Sequence, residues 1–313
     1  MFGDMEAPKV LVAPEQPDFA VDAVKQGGGV VVAEGSPADG LVWLSGKAGG
    51  IPDILAGHPG IKWVQLPMAG VEGVVATGIM ADPRAAGVTW TCAKGSYARP
   101  VAEHALALAL AGLRRLPQRA RARSWGEAAG ISLYEAEVTV LGGGGIASEL
   151  LRLLAPFGVR ATVVRKRPEP VEGATRTVTT AELRSALPGA LVVFVALALS
   201  PETVGIVGAP ELSLMGPDSW LVNVGRGRLV DTAALVEALS EGRIGGAALD
   251  VTDPEPLPDG HPLWALPNCL VTPHTADTEE MTQPLLAARI RENVERLAAG
   301  LPLVGTVDPV AGY

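Results

Sequence analysis

Aromatic side chains make up only 4% of this 313-residue chain. Alanine, valine and leucine must therefore fill most of its core. Cysteine is scarcer still: Cys92 and Cys269 are the only two. Both sit in strand-like runs and read as reduced core residues of a cytoplasmic protein. Their spacing fits no metal site, and no metal is expected. Positive charge is in deficit, with 25 Lys and Arg against 34 Asp and Glu and a net charge of −9. That balance argues against a nucleic-acid partner, whose phosphates call for basic surface. No apolar run reaches the roughly 18 residues that a membrane span needs. The opening MFGDMEAPK passes straight into VLVA, without the long apolar stretch of a secretory signal, so neither export nor a membrane partner is expected.

What the chain does have is alternation. Hydrophobic residues are 48% of the whole, and short β-branched runs alternate with helical stretches, the pattern of βαβ units and parallel sheets. At this length two domains sharing a cleft are expected. The first third offers strands at 9–13, 29–34, 41–44, 62–66 and 88–92. A helix over 99–116 follows, apolar on nearly every face, as in a helix buried in a core or between subunits. Both readings stay open. The arginine-rich 114–123 reads as the solvated end of that helix, where positive charge suits the dipole. A second α/β unit begins with EVTVL at 137–141. Its later strands lie at 161–164, 191–197, 220–224, 246–251 and 269–272. A helix at 279–298 is expected to cross back to the first unit.

VTVLGGGGIASELLRLL places Gly142, Gly144 and Ala147 in a G-x-G-x-x-A arrangement between a strand and a helix. The first glycine permits a tight turn, the second close approach of a pyrophosphate, and the small third residue close helix–strand packing. Amides at the helix N-terminus then face the anion. The next strand ends in Arg165, Lys166 and Arg167, where an acid would otherwise bind the ribose diol of NAD. A basic triplet suits the 2′-phosphate of NADP, so NADP is expected, with NAD possible. The plainer reading of the triplet is an exposed charged turn.

Three later strand candidates each lead to a residue capable of acid–base or anion-binding chemistry: Arg226, Glu255 and His274. Loops leaving the carboxyl ends of parallel strands line one crevice, so the three can converge. An imidazolium protonates a developing alkoxide near neutral pH. A carboxylate beside it favours its charged form. A guanidinium binds a substrate carboxylate while polarising a ketone. Taken singly, Arg226 can be a surface turn residue, Glu255 a member of the loop DPEPLPDG, and His274 a strand-end cap. Their joint placement after a dinucleotide loop favours a catalytic set. His104, on the apolar helix, reads as a satisfied core or interface residue. His58 and His261 each precede proline and read as exposed.

The blocks NVGRGRLVDTAALVEAL (223–239), ALDVTDPEPLP (248–258) and LWALPNCLVTPHTA (263–276) resemble the signatures of the D-isomer-specific 2-hydroxyacid dehydrogenases. Residues 200–215 and 95–110 resemble further blocks of that family. The resemblance implies an α/β protein of two Rossmann-like domains with parallel sheets. The substrate domain would be discontinuous, 1–96 plus 280–313, and a cleft would separate it from a dinucleotide-binding domain over 97–279. It also implies a homodimer formed through the latter, with Arg226, Glu255 and His274 catalytic. By the same comparison Gly145, Ile146, Val224, Gly225, Asp250, His274 and Thr275 should touch the cofactor. The loop 66–72 resembles the segment whose amides hold the substrate carboxylate, which puts Ala69, Gly70 and Val71 there.

Within the family the chain looks most like the NADP-dependent glyoxylate/hydroxypyruvate reductases, with Trp43 flanking the substrate, although a strand tryptophan is as often plain core. Two departures stand out. The family's Leu-Pro-Leu-Thr appears as Leu197, Ala198, Leu199 and Ser200 in a cofactor-lining loop, and Asp277 stands where a small residue is commoner. The expected activity is hydride transfer between NADP(H) and a small 2-oxo or D-2-hydroxy acid. A second class is a non-catalytic, dinucleotide-sensing, corepressor-like protein of the same fold.

Overall fold

Valine-bearing runs supply most of the strands: VVFV, residues 192–195, is fully buried, and VVV, residues 30–32, is half-covered at a sheet edge. In the computed structural model, which describes residues 6–308, these strands form two separate sheets in which every pairing is parallel. The chain divides into two compact units. One takes residues up to Tyr97 and from Thr278 onward; the other is Ala98–Asp277. No helix among the described residues is long and apolar enough to cross a membrane.

The first unit holds β1 (Lys9–Ala13), β2 (Val30–Val32), β3 (Gly40–Trp43), β4 (Trp63–Gln65) and β5 (Thr89–Thr91), in the order β2-β1-β3-β4-β5. The helix Glu279–Ala298 returns to this unit. Its Leu286, Ile290 and Val294 share a core with Ala20, Ala23 and Val24 of the helix Asp18–Gln26. The two backbones come close at Gly27, where a Cβ would lie 2.7 Å from Arg291 O. A buried polar chain adds direction to that packing. Trp63 Nε1 donates to Thr91 Oγ1 at 2.8 Å, and Thr91 Oγ1 donates to Gln65 Oε1 at 2.9 Å. Asn293 Nδ2 reaches Gln65 Oε1 at 2.9 Å and Val304 O at 3.0 Å, while Asn293 Oδ1 accepts from Val304 N at 2.8 Å. Such a network is stable only when every member is satisfied.

The second unit holds β6 (Glu137–Leu141), β7 (Arg160–Arg165), β8 (Arg176–Thr179), β9 (Val192–Val195), β10 (Trp220–Asn223), β11 (Gly246–Leu249) and β12 (Cys269–Val271). Their order is β12-β11-β10-β9-β6-β7-β8. The chain runs outward from β6 to β8, then returns to the other side of β6 with β9 and proceeds to β12. Strand order therefore reverses between β6 and β9, where ligands bind in open sheets of this kind.

Some elements depart from the sequence expectation. β8 was not anticipated, because RTVT is a short edge strand in which only Val178 is buried. The apolar helix spans Ala98–Leu113 and stops as Arg115 takes a left-handed φ of 54°. The arginine-rich stretch is therefore not the end of that helix but lies beyond it, partly in a separate short helix, Leu116–Ala120. The long helix is a core element. Val101, Ala105, Leu108 and Ala109 pack with Leu150 and Leu154 of the helix Gly145–Leu154. At Gly112 a Cβ would overlap the Trp220 ring. His58, expected to be exposed, is buried: its Nε2 accepts from Gly35 N at 3.0 Å and its Nδ1 donates to Ile54 O at 2.9 Å. Its ring holds two backbone segments together. His261 is half-buried, and its Nδ1 accepts from Leu263 N at 3.3 Å, capping the turn Pro262–Ala265. Cys92 and Cys269 are free and buried, and burial pushes the Cys269 thiol up to about 12.

Candidate active site

The glycine loop lies at the strand-order reversal. Gly142 leaves β6 with φ +120°, and a Cβ there would lie 2.5 Å from Ala196 O, just past β9. Only glycine permits that turn. Gly144 precedes the helix Gly145–Leu154 in extended conformation, with no side chain capping the helix amides. A Cβ on Gly144 would meet nothing within 4 Å. Ala147 is buried in the helix–sheet core. Uncapped amides at a ten-residue helix, approached past a residue without a side chain, fit the pyrophosphate of a dinucleotide.

Arg165 ends β7 and crosses this loop: a Cβ on Gly143 would lie 2.9 Å from Arg165 Cδ. Its Nη1 donates to Glu169 O at 3.3 Å. Lys166 and Arg167 are exposed. Across from them, the Ser200 hydroxyl, the backbone and Lys166 hold the Glu202 carboxyl below its usual range. The 197–200 loop is braced by Thr203, whose hydroxyl accepts from Ser200 N at 2.7 Å and donates to Ala198 O at 2.9 Å. Leu197 is half-buried there and Ala198 exposed.

β10, β11 and β12 are neighbours, so their carboxyl ends share one edge. Beyond β10, buried Asn223 shapes the turn: its Oδ1 accepts from Gly225 N at 3.0 Å and its Nδ2 donates to Arg226 O at 2.9 Å. Val224 and Gly225 are buried, and half-buried Arg226 donates from Nη1 to Gly225 O at 2.7 Å. A Cβ on Gly227 would overlap Thr252 O, so the Arg226 turn lies directly on the loop after β11. In that loop Glu255 Oε2 accepts from Thr252 N at 3.3 Å, and Glu255 Oε1 stands 2.6 Å from His274 Nδ1. The His274 and Glu255 side chains remain 45% and 41% exposed, respectively, within reach of a small molecule.

His274 has φ +49°, uncommon for a residue with a side chain and frequent at functional turns. Asp250 holds it there. Asp250 O accepts from His274 N at 2.8 Å. Its Oδ1 accepts from the Thr272 hydroxyl at 2.6 Å and Thr275 N at 2.9 Å, and its Oδ2 from Ala276 N at 3.1 Å. Burial pushes this carboxyl up, but these bonds and one from His104 outweigh it and hold it at about 2. Asp277 goes the other way: burial pushes its carboxyl up, with Asp250 adding to the effect, against the pull of His274 and Arg226.

Arg226, Glu255 and His274 therefore lie along one sheet edge, with Glu255 and His274 in contact. In the first unit, Trp43 is 5% exposed in the core, its Nε1 bonded to Lys47 O at 3.0 Å. Ala69 is exposed, Gly70 half-buried and Val71 buried. Sequence reasoning passed over Asn223 and Thr272. A lone polar residue at the end of the apolar strand WLVN was the available signal for Asn223; nothing local marks Thr272, whose partners lie 22 and 168 residues away.

The model of the D-isomer specific 2-hydroxyacid dehydrogenase NAD binding domain matches residues 104–276. A glyoxylate reductase of Aeropyrum pernix is 35% identical over 230 residues, covering 68% of each chain. Among solved structures, a D-isomer specific 2-hydroxyacid dehydrogenase of Xanthobacter autotrophicus, in complex with NADPH, superposes with a TM-score of 0.83 at 29% identity, over 98% of this chain and 100% of that one. An NADPH-dependent glyoxylate/hydroxypyruvate reductase of Sinorhizobium meliloti, in complex with NADP, gives 0.79 at 26% identity over 98% and 100%.

Proposed function

The chain belongs to the D-isomer-specific 2-hydroxyacid dehydrogenase family, and from that premise we propose an NADP(H)-preferring reductase of a small 2-oxo acid of the glyoxylate or hydroxypyruvate kind. The observation that carries this reading is the 2.6 Å contact between Glu255 and His274, on the sheet edge that also bears Arg226. Held at the glycine loop with Arg165 beside it, NADPH would supply the hydride for the 2-carbonyl. Arg226 binds the substrate carboxylate and polarises the carbonyl. Glu255 accepts a hydrogen bond from the Nδ1–H of His274, which turns Nε2 toward the substrate. His274 Nε2 then gives its proton to the oxygen as the alcohol forms, and takes it back in the reverse direction. Asp250 acts on this chemistry through the turn that carries His274.

Preference for NADP is supported by Arg165, whose stem crosses the glycine loop, by Lys166 and Arg167 beside it, and by the absence of a carboxylate at the end of β7. The relatives carrying NADPH and NADP point the same way. The reading also makes the protein a cytoplasmic homodimer; exposed Trp125 and Tyr134 offer apolar surface on the second unit, and sedimentation tests the assembly. Activity is tested by cofactor oxidation with glyoxylate, hydroxypyruvate and larger 2-oxo acids, using NADPH and NADH in parallel. Turnover of a two- or three-carbon acid with NADPH favoured is expected. No turnover with any 2-oxo acid would remove the proposal.

A further inference from the structure

The helix Ala98–Leu113 is built mainly from alanine and leucine, yet it aims an imidazole at the carboxylate beneath the His274 turn. His104 Nε2 lies 3.1 Å from Thr272 Oγ1 and 3.3 Å from Asp250 Oδ1. The Thr272 hydroxyl donates its proton to Asp250 at 2.6 Å, so toward His104 it can only accept. An ionised carboxylate is acceptor-only as well. Both neighbours of Nε2 are acceptors, and Nε2 must carry a proton. Packing alone would be met by an apolar side chain at this position; the imidazole adds one donor, shared by two acceptors.

That donor completes a set. Asp250 takes the Thr272 hydroxyl and the amides of Thr275 and Ala276 on its carboxylate, and the amide of His274 on its carbonyl. We infer that His104 is a positioning residue for His274, acting through Asp250 and Thr272. Its N–H locks the hydroxyl and the carboxylate in the arrangement that presents Oδ1 to the Thr275 amide and Oδ2 to the Ala276 amide. Without it, the hydroxyl and carboxylate exchange partners, the turn loses the contacts that maintain φ +49° at His274, and the imidazole departs from Glu255.

The inference rests on the reading of His274 as proton donor, and the test lets the two fail separately. His104→Leu removes the donor. His104→Gln restores an N–H near the Nε2 position. With glyoxylate and NADPH, H104L should lower kcat about ten- to hundredfold, the cost of a small misplacement of a reacting group. The KM for NADPH should stay within twofold, and amide exchange at Thr275 and Ala276 should accelerate. H104Q should recover most of the rate and the protection. If H104L does not fold, His104→Asn, whose amide falls short of Nε2, takes its place. Parent-like turnover in H104L, or H104Q as slow as H104L, overturns the inference. If the parent protein reduces no 2-oxo acid, the functional reading fails, and exchange still decides: faster in H104L and restored in H104Q supports the role of His104, unchanged in H104L refutes it.

Discussion

The 2.6 Å contact between Glu255 Oε1 and His274 Nδ1 determines which imidazole nitrogen is left to face a substrate. His274→Ala removes the proton donor and should cut kcat by roughly 10²–10⁴-fold, the range for a general acid–base group, with cofactor binding nearly intact. Glu255→Gln keeps the size of the side chain and removes the charged acceptor that fixes the ring. Its kcat should fall about tenfold or more while the KM for NADPH stays nearly unchanged, the cost of a misoriented reacting group. Steady-state kinetics of the two proteins check this, and a parent-like kcat would contradict the pairing.

Arg165 is placed to read the cofactor because its stem crosses Gly143. Arg165→Asp replaces a forked donor with a repelling carboxylate. The KM for NADPH should rise about ten- to hundredfold, the worth of a charge-assisted hydrogen bond, while use of NADH improves. Steady-state constants for both cofactors measure it; an unchanged NADPH/NADH ratio would return the triplet to a mere charged turn.

Local pattern made much of this fold legible. KVLVA and EVTVL become β1 and β6 over the whole of each run, because a charged residue opens each one and a proline or glycine follows it. β8 escaped because an edge strand needs only one buried side chain, and RTVT has little apolar pattern to show. Strand exits carrying Arg226, Glu255 and His274 were readable from the apolar runs before them. The left-handed backbone of His274 and the use of Asp250 as its anchor were not. Both depend on hydrogen bonds between residues more than twenty positions apart, which no local pattern records. His58 was misjudged for the same reason, since its Gly35 partner lies 23 residues back.

Asn293 tests how the returning helix is held. Itself fully buried, it makes three hydrogen bonds, to Gln65 and to both polar backbone groups of half-buried Val304. Asn293→Ala leaves the amide and carbonyl of Val304 without these partners, while Gln65 Oε1 keeps the Thr91 hydroxyl. An unmade buried bond costs about 1–3 kcal/mol when water cannot replace the partner. A loss of roughly 2–3 kcal/mol in denaturant stability is expected. A change below about 0.5 kcal/mol would mean that the network contributes nothing beyond packing.

Asp250 should leave a signature in acid. Its carboxyl sits at about 2 in the folded protein against an ordinary value of 3.8. A depressed folded value favours folding above the unfolded value, and the benefit disappears as pH falls through the folded one. The window therefore runs from about pH 4 down to about pH 2, and the shift corresponds to roughly 2 kcal/mol. Asp277, raised by burial, acts with the opposite sign; half-buried Asp82, lowered to about 2 by Arg84, titrates in the same window. Raw acid denaturation cannot separate the three, but a difference measurement can. Asp250→Asn should be less stable than the parent by roughly 2 kcal/mol at pH 6, with the gap narrowing steadily below pH 4. Denaturant titrations of both proteins at several pH values measure that gap. A gap constant down to pH 2.5 would mean that shape, and not the charge held by His104, Thr272 and the two turn amides, is what Asp250 contributes.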